Sequence, residues 1–175
     1  RPAQRSVRLG RVEATGGFFL LVAWLNYLDR GRIVPLALAA CLLHELGHYL
    51  AIRLAGGDVK LVRLTAIGAE MVLARPLSYV REGTAALAGP LTNLLLAGLF
   101  CRWQWGQLFA GLNLILGCFN LLPVGRLDGG RLAFCLLSVL AGPEVASRVR
   151  RCLDGGCAAV LTAGGLWLAG AGRNI

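Results

Sequence analysis

The sequence predicts an all-α polytopic membrane protein of five to six transmembrane helices, with a small β-hairpin after the second span. Three observations carry this reading. Of 175 residues, 57% are hydrophobic and only 15% charged, an apolar share above that of soluble domains. The apolar residues gather into uncharged runs close to the length that crosses a bilayer. One polar interval holds short Val- and Leu-rich stretches on either side of Gly68, the pattern of two paired strands.

The first span is expected over 14–28, behind a segment carrying Arg1, Arg5, Arg8 and Arg11. The N-terminus shows none of the features of a cleavable signal. The second span is expected over 33–52, between Arg32 and Arg53, long enough at about 1.5 Å per residue to cover a hydrocarbon core of about 30 Å. It contains both histidines of the chain. The hairpin follows, with strands over Val59 to Thr65 and Ala69 to Ala74. A third span is expected over 83–101, after which Arg102, Trp103 and Trp105 mark a water interface where indole rings settle. A fourth, over 106–122, ends where Pro123 and Gly125 interrupt helical regularity. The segment 127–142 is apolar but short, and reads as an interfacial helix or a re-entrant piece. A last span is expected over 155–172, with no soluble regulatory domain beyond it, so that 1–175 forms one membrane-embedded domain.

The distribution of basic residues orients this layout. Short cytoplasmic loops collect Lys and Arg. With a cytoplasmic N-terminus and 127–142 not crossing, most of them lie inside, leaving Arg30, Arg32, Arg102 and Arg173 outside. If 127–142 crosses, Arg148, Arg150 and Arg151 move outside, which favours five full spans.

The net charge of +9 does not point to nucleic acid, because the arginines are scattered between apolar runs and form no basic, aromatic-bearing surface. The six cysteines include no Cys-x-x-Cys pair and sit mostly in apolar stretches, where cysteine behaves as a small hydrophobe. No internal repeat is visible, which argues against a transporter built from repeated halves.

The chemistry concentrates in His44-Glu45-Leu46-Gly47-His48. Two histidines four residues apart on a helix project from one face and can grip a single ion, with an acidic neighbour beside them. Ionisable groups inside a spanning helix cost about 2.5–3.5 kcal/mol each on insertion scales for Asp, Lys or Arg, so they face functional cavities. His44 lies on the order of 14 Å below the cytoplasmic edge marked by Arg53, at about 1.5 Å per residue. A catalytic zinc takes three protein ligands and keeps one position for water, so a third ligand is required. Glu70, Asp128 and Asp154 are the acidic residues in apolar surroundings. Asp128 is preferred, because it follows the helix break and precedes Gly129-Gly130, a pair expected to let the carboxylate turn back into the bundle.

These residues carry a family resemblance. The HExxH element, together with Asn120-Leu121-Leu122-Pro123-Val124-Gly125-Arg126-Leu127-Asp128-Gly129, resembles the site-2 proteases, intramembrane zinc metalloproteases. The layout is similar to the stage IV sporulation protein FB branch, which also shows a segment like Gly89-Pro90-Leu91. The resemblance implies one Zn2+ on His44, His48 and Asp128, with Glu45 as catalytic base. It places Asn120 and Pro123 in the same motif, as substrate-binding or site-supporting residues.

The function expected from the resemblance is intramembrane endopeptidase activity on a membrane-embedded or membrane-tethered protein. In the sporulation branch that substrate is a pro-sigma factor. The protein is expected in a bacterial cytoplasmic-type membrane, in contact with the lipid bilayer and with no nucleic-acid partner, its active site toward the cytoplasm. Two alternatives belong to other classes. A catalytically silent scaffold of the same family would lack Glu45 or a ligand, and all four residues are present. A metal transporter would need more ligands between helices than two histidines supply.

Overall fold

A computed structural model of the chain describes residues 6–29, 33–65, 68–125 and 127–171. Arg1, Arg5, Arg30, Arg32 and Arg173 of the charge pattern, and Arg126 of the second motif, lie outside the described residues. Two strands come first, β1 (Ser6–Leu9) and β2 (Val12–Thr15), followed by helices α1 (Gly16–Leu28) and α2 (Ile33–Leu54). Strands β3 (Val59–Thr65) and β4 (Gly68–Leu73) precede α3 (Tyr79–Phe100), α4 (Gln107–Asn120), α5 (Asp128–Ala141) and α6 (Pro143–Ala171).

Helix α3 is the centre of the bundle, packed against α2, α4 and α5, while α6 packs on α5. Its inward residues explain why. Gly83, Ala85, Ala86, Gly89, Pro90, Asn93 and Ala97 are buried, and small side chains let three neighbouring backbones approach closely. Helix α2 buries Ala40, His44, His48 and Ile52, a stripe repeating every four residues along one helical face. Gly47 completes that contact, because a Cβ there would strike Thr92 Oγ1 and the Ala88 carbonyl of α3. At its start, α2 is capped by Asp29, whose carboxylate accepts from the Ile33 and Val34 amides at 3.1 and 2.9 Å. Such a cap satisfies donors that a helix leaves open and favours negative charge at that end.

The molecule is inverted with respect to a soluble domain. Its buried polar residues are Thr15, His44, His48, Asn93, Asn113, Asp128 and Ser138, whereas Leu42, Leu95, Ile115, Leu140 and Trp167 are each about two-thirds exposed or more. Large apolar side chains facing outward over whole helices require a lipid solvent. Among the described residues, three helices are long and apolar enough to cross a membrane: Ile33–Leu54, Tyr79–Phe100 and Pro143–Gly170. This is an integral membrane protein.

Several sequence expectations are corrected in detail. The fold is mostly helical but not all-α, because the region expected to hold a hairpin belongs to a four-stranded sheet of order β1-β2-β3-β4. Strand β2 runs antiparallel to β1 and parallel to β3, and β4 is antiparallel to β3. The arginines before the first span read as a charged flank, yet Arg8 and Arg11 sit on or beside strands that continue the sheet. The third helix begins at Tyr79 instead of residue 83. The segment expected to cross over 106–122 is a helix of 14 residues, and α5 has the same length. The last helix starts at Pro143 and takes in the charged stretch Arg148 to Asp154 as one continuous helix of 29 residues.

Below the sheet, Ile52, Val59 and Ala85 form a buried cluster joined by Tyr49, Met71 and Leu73. The sheet therefore rests on the end of α2 and the start of α3, one to two turns from the histidines.

Candidate metal centre

His44 and His48 lie on one face of α2, and α5 opens with Asp128 opposite them. His44 Nε2 is 3.0 Å from Asp128 Oδ2, His48 Nε2 is 3.2 Å from the same oxygen, and the two Nε2 atoms are 3.1 Å apart. All three residues are buried, and among the described residues they form the group of donors that could hold a metal ion. Their imidazole rings stand at 88° to each other with centroids 4.7 Å apart.

The protonation of this cluster follows from its outer contacts. Asn93 donates through Nδ2 to the Ala40 carbonyl at 3.3 Å and to Asn113 Oδ1 at 2.7 Å. Both amide hydrogens are thereby committed, so Asn93 Oδ1 accepts from His44 Nδ1. His48 Nδ1 meets the Ala85 carbonyl at 2.7 Å, which can only accept. Each ring therefore carries its proton on Nδ1 and turns the lone pair of Nε2 inward. With both rings neutral, two nitrogen lone pairs and a carboxylate converge at about 3 Å, an arrangement that repels itself unless a cation sits among them. A tetrahedral zinc with bonds of about 2.0–2.2 Å separates its ligand atoms by about 3.3–3.6 Å. Donor type and spacing both fit zinc.

Helix α3 builds the wall behind the rings at three positions one turn apart. Ala85 supplies the carbonyl for His48 and Asn93 the amide for His44. Between them, Gly89 leaves a gap that a Cβ would close, because it would collide with both imidazole rings. The amide of Asn113 on α4 continues the chain by donating to the Phe109 carbonyl at 2.8 Å.

Asp128 is positioned by close packing. Leu127 precedes it in extended conformation, and Gly129 and Gly130 lie against the Leu121, Leu122, Val124 and Gly125 carbonyls so tightly that neither has room for a Cβ. The pair expected to provide flexibility instead forms the first turn of α5, with neither residue at positive φ. Smallness, not backbone freedom, is what those positions require.

Glu45 follows His44 on α2, half-buried, where it feels the charges of His48, His44, Asp128 and Arg131. Asn120 and Pro123 do not join the cluster. The Asn120 amide donates to the Leu116 carbonyl of its own helix at 3.0 Å, and Pro123 is exposed. Of the other acidic candidates, Glu70 faces Arg63 at 3.7 Å on the sheet surface and Asp154 binds the Gly125 amide. Sequence reasoning passed over Asn93 and Asn113, although their signal was present: amide side chains in the middle of apolar helices, where an unpaired polar group is costly.

Residues 102–163 match peptidase family M50. Rip3 of Mycobacterium tuberculosis, a candidate zinc metalloprotease, is 32% identical over 88% of this chain in both the Erdman and H37Rv strains. The chain spans about half the length of these curated relatives, 46%. The site-2 protease from Methanocaldococcus jannaschii superposes with a TM-score of 0.70 at 23% identity, covering 94% of this chain and 87% of that one. The matched segment and the mycobacterial relative make the chain similar to peptidase family M50, and its fold is that of the site-2 protease.

Proposed function

We propose that the protein is an intramembrane zinc metalloendopeptidase that hydrolyses peptide bonds in or near the membrane segment of a substrate protein. The observation that carries this is the convergence of His44 Nε2, His48 Nε2 and Asp128 Oδ2 inside an apolar bundle. These three residues are the ligands. When bound, zinc polarises the scissile carbonyl and lowers the pKa of water beside it to about 7. Glu45 is the general base: its carboxylate takes a proton from the attacking water and passes it to the leaving amine. Asn93 and the Ala85 carbonyl keep both Nδ1 atoms protonated, so the inward nitrogens remain ligands. Asn120 and Pro123 shape the loop that leads to Asp128, a site-supporting role.

In this reading residues 1–175 act as one membrane domain, with α1, α2, α3, α4 and α6 within the five crossings and α5, of the same length as α4, as the segment that does not cross. The N-terminus and the metal centre face the cytoplasm of a bacterial membrane. The substrate is membrane-embedded or membrane-tethered. The sporulation-branch resemblance carried by Gly89-Pro90-Leu91 makes a pro-sigma factor the first candidate to test. A spanning helix cannot present its peptide bonds while they are hydrogen-bonded inward, so it must be locally extended. Strand β4 is an edge of the sheet and can receive such a strand by main-chain pairing.

Co-expression with a membrane-tethered candidate substrate tests the proposal. Cleavage by the parent chain and its loss in Glu45→Gln are expected; equal processing by both would sink the protease reading and leave a scaffold.

A further inference from the structure

Asp154 lies on α6, distant in sequence from every residue of the metal centre. Its Oδ1 nonetheless accepts the Gly125 amide at 2.6 Å. Gly125 has φ +59, a left-handed conformation that aims its N–H at α6 and that other residue types adopt only under strain. Its carbonyl faces the other way, against α5, in the position where a Gly130 Cβ would be 2.9 Å from it. Gly125 thus lies between two helices, bonded to α6 through its N–H and packed against the first turn of α5 through its C=O. The Leu127 amide closes the turn onto the Val124 carbonyl at 3.2 Å, and the next residue is Asp128.

The carboxylate making this contact is itself held in place. Arg150, one turn before Asp154, approaches its other oxygen at 3.9 Å and lies over the Phe134 ring of α5 at 5.9 Å. Phe134 in turn meets Tyr79 of α3 edge to face at 6.1 Å. A line of contacts therefore runs from α3 through α5 and α6 into the turn that delivers Asp128. A hydrogen bond to an ionised acceptor is shorter and stronger than a neutral one, which suits an anchor for this turn.

We propose that Asp154 is a positioning residue for the metal centre: by holding the Gly125 amide it sets where the Asp128 carboxylate sits, so α6 is part of the zinc site without touching it. The proposal rests on Asp128 being a ligand, and the experiment separates the two ideas.

The full chain, purified in detergent, is titrated with Zn2+ against a chromogenic chelator, and metal-free thermal unfolding is recorded in parallel. Asp128→Ala is the reference and should lose zinc; full retention would overturn the ligand assignment and this proposal with it. Asp154→Ala should bind zinc about tenfold more weakly, the low end of the range for groups that orient metal ligands. Asp154→Asn keeps an acceptor oxygen at the same reach and should stay within about threefold of the parent. Asp154→Glu keeps the charge but displaces the oxygen, and should bind more weakly than Asp154→Asn. If Asp154→Ala fails to fold, the order of Asn and Glu decides. Parent-like zinc affinity in Asp154→Ala, or Asp154→Glu binding more tightly than Asp154→Asn, would overturn the proposal.

Discussion

The Nδ1 proton of His44 is held by Asn93, a fully buried amide on the neighbouring helix. Asn93 is fixed in turn by the Ala40 carbonyl and by Asn113. Replacing Asn93 by Leu releases His44 to choose either tautomer and leaves Asn113 Oδ1 without its donor. Zinc affinity should fall by about 10- to 100-fold, and the orphaned oxygen should cost about 1–3 kcal/mol of stability. Asn93→Asp retains the acceptor for His44 but not the two donors, so it should recover zinc binding better than stability. Chelator competition and thermal unfolding read the two effects separately.

Gly89 faces both imidazoles at a distance that admits no Cβ. Gly89→Ala should push the histidines away from Asp128 and reduce zinc bound per chain, at an overpacking cost of about 1–3 kcal/mol. Gly164 is the control, because a Cβ there meets nothing within 4 Å and alanine is the better helix former by about 0.8–1.0 kcal/mol. A Gly164→Ala chain that loses zinc as Gly89→Ala does would refute the steric account.

The same contrast applies to the Asp128 turn. A Cβ on Gly129 would overlap the Leu121 carbonyl, which belongs to backbone and cannot rotate aside. Gly129→Ala should therefore displace the start of α5 and abolish tight zinc binding while the helical content, measured by circular dichroism, stays close to the parent value.

With both rings neutral, the inward lone pairs repel one another when no cation sits among them, so metal removal should destabilise the bundle. At free zinc one hundred times its dissociation constant, binding to the folded state alone contributes about 2.7 kcal/mol. Unfolding temperature should drop on chelation and recover on adding Zn2+ back. The Asp128→Ala chain should show no such recovery; a zinc-dependent rise of parental size there would remove Asp128 from the ligand set.

Legibility differed from residue to residue. The pair His44 and His48 could be read because their spacing is a property of one helix and needs no partner. Asp128 could be read with the help of Pro123 and Gly125, which announce a break between two helices. The strands at Ser6–Leu9 and Val12–Thr15 were missed because they are short and interleaved with arginine, and β2 reaches its second partner, β3, only across the whole of α1 and α2. Gly129 and Gly130 were seen as important for the wrong reason, since a sequence does not distinguish a glycine needed for its backbone from one needed for its size.

By itself the sequence determined the lipid solvent, the metal chemistry and the helix that bears two of the three donors. Apolar run length and four-residue spacing are local properties, written in consecutive residues. Tertiary structure alone decided that Asn93 and Asn113 orient His44, that Gly89 makes room for both rings, and that Asp154 reaches the turn before Asp128. Those roles depend on which atoms of separate helices come within hydrogen-bond or van der Waals distance, and that is settled by how three backbones pack around the small residues of α3.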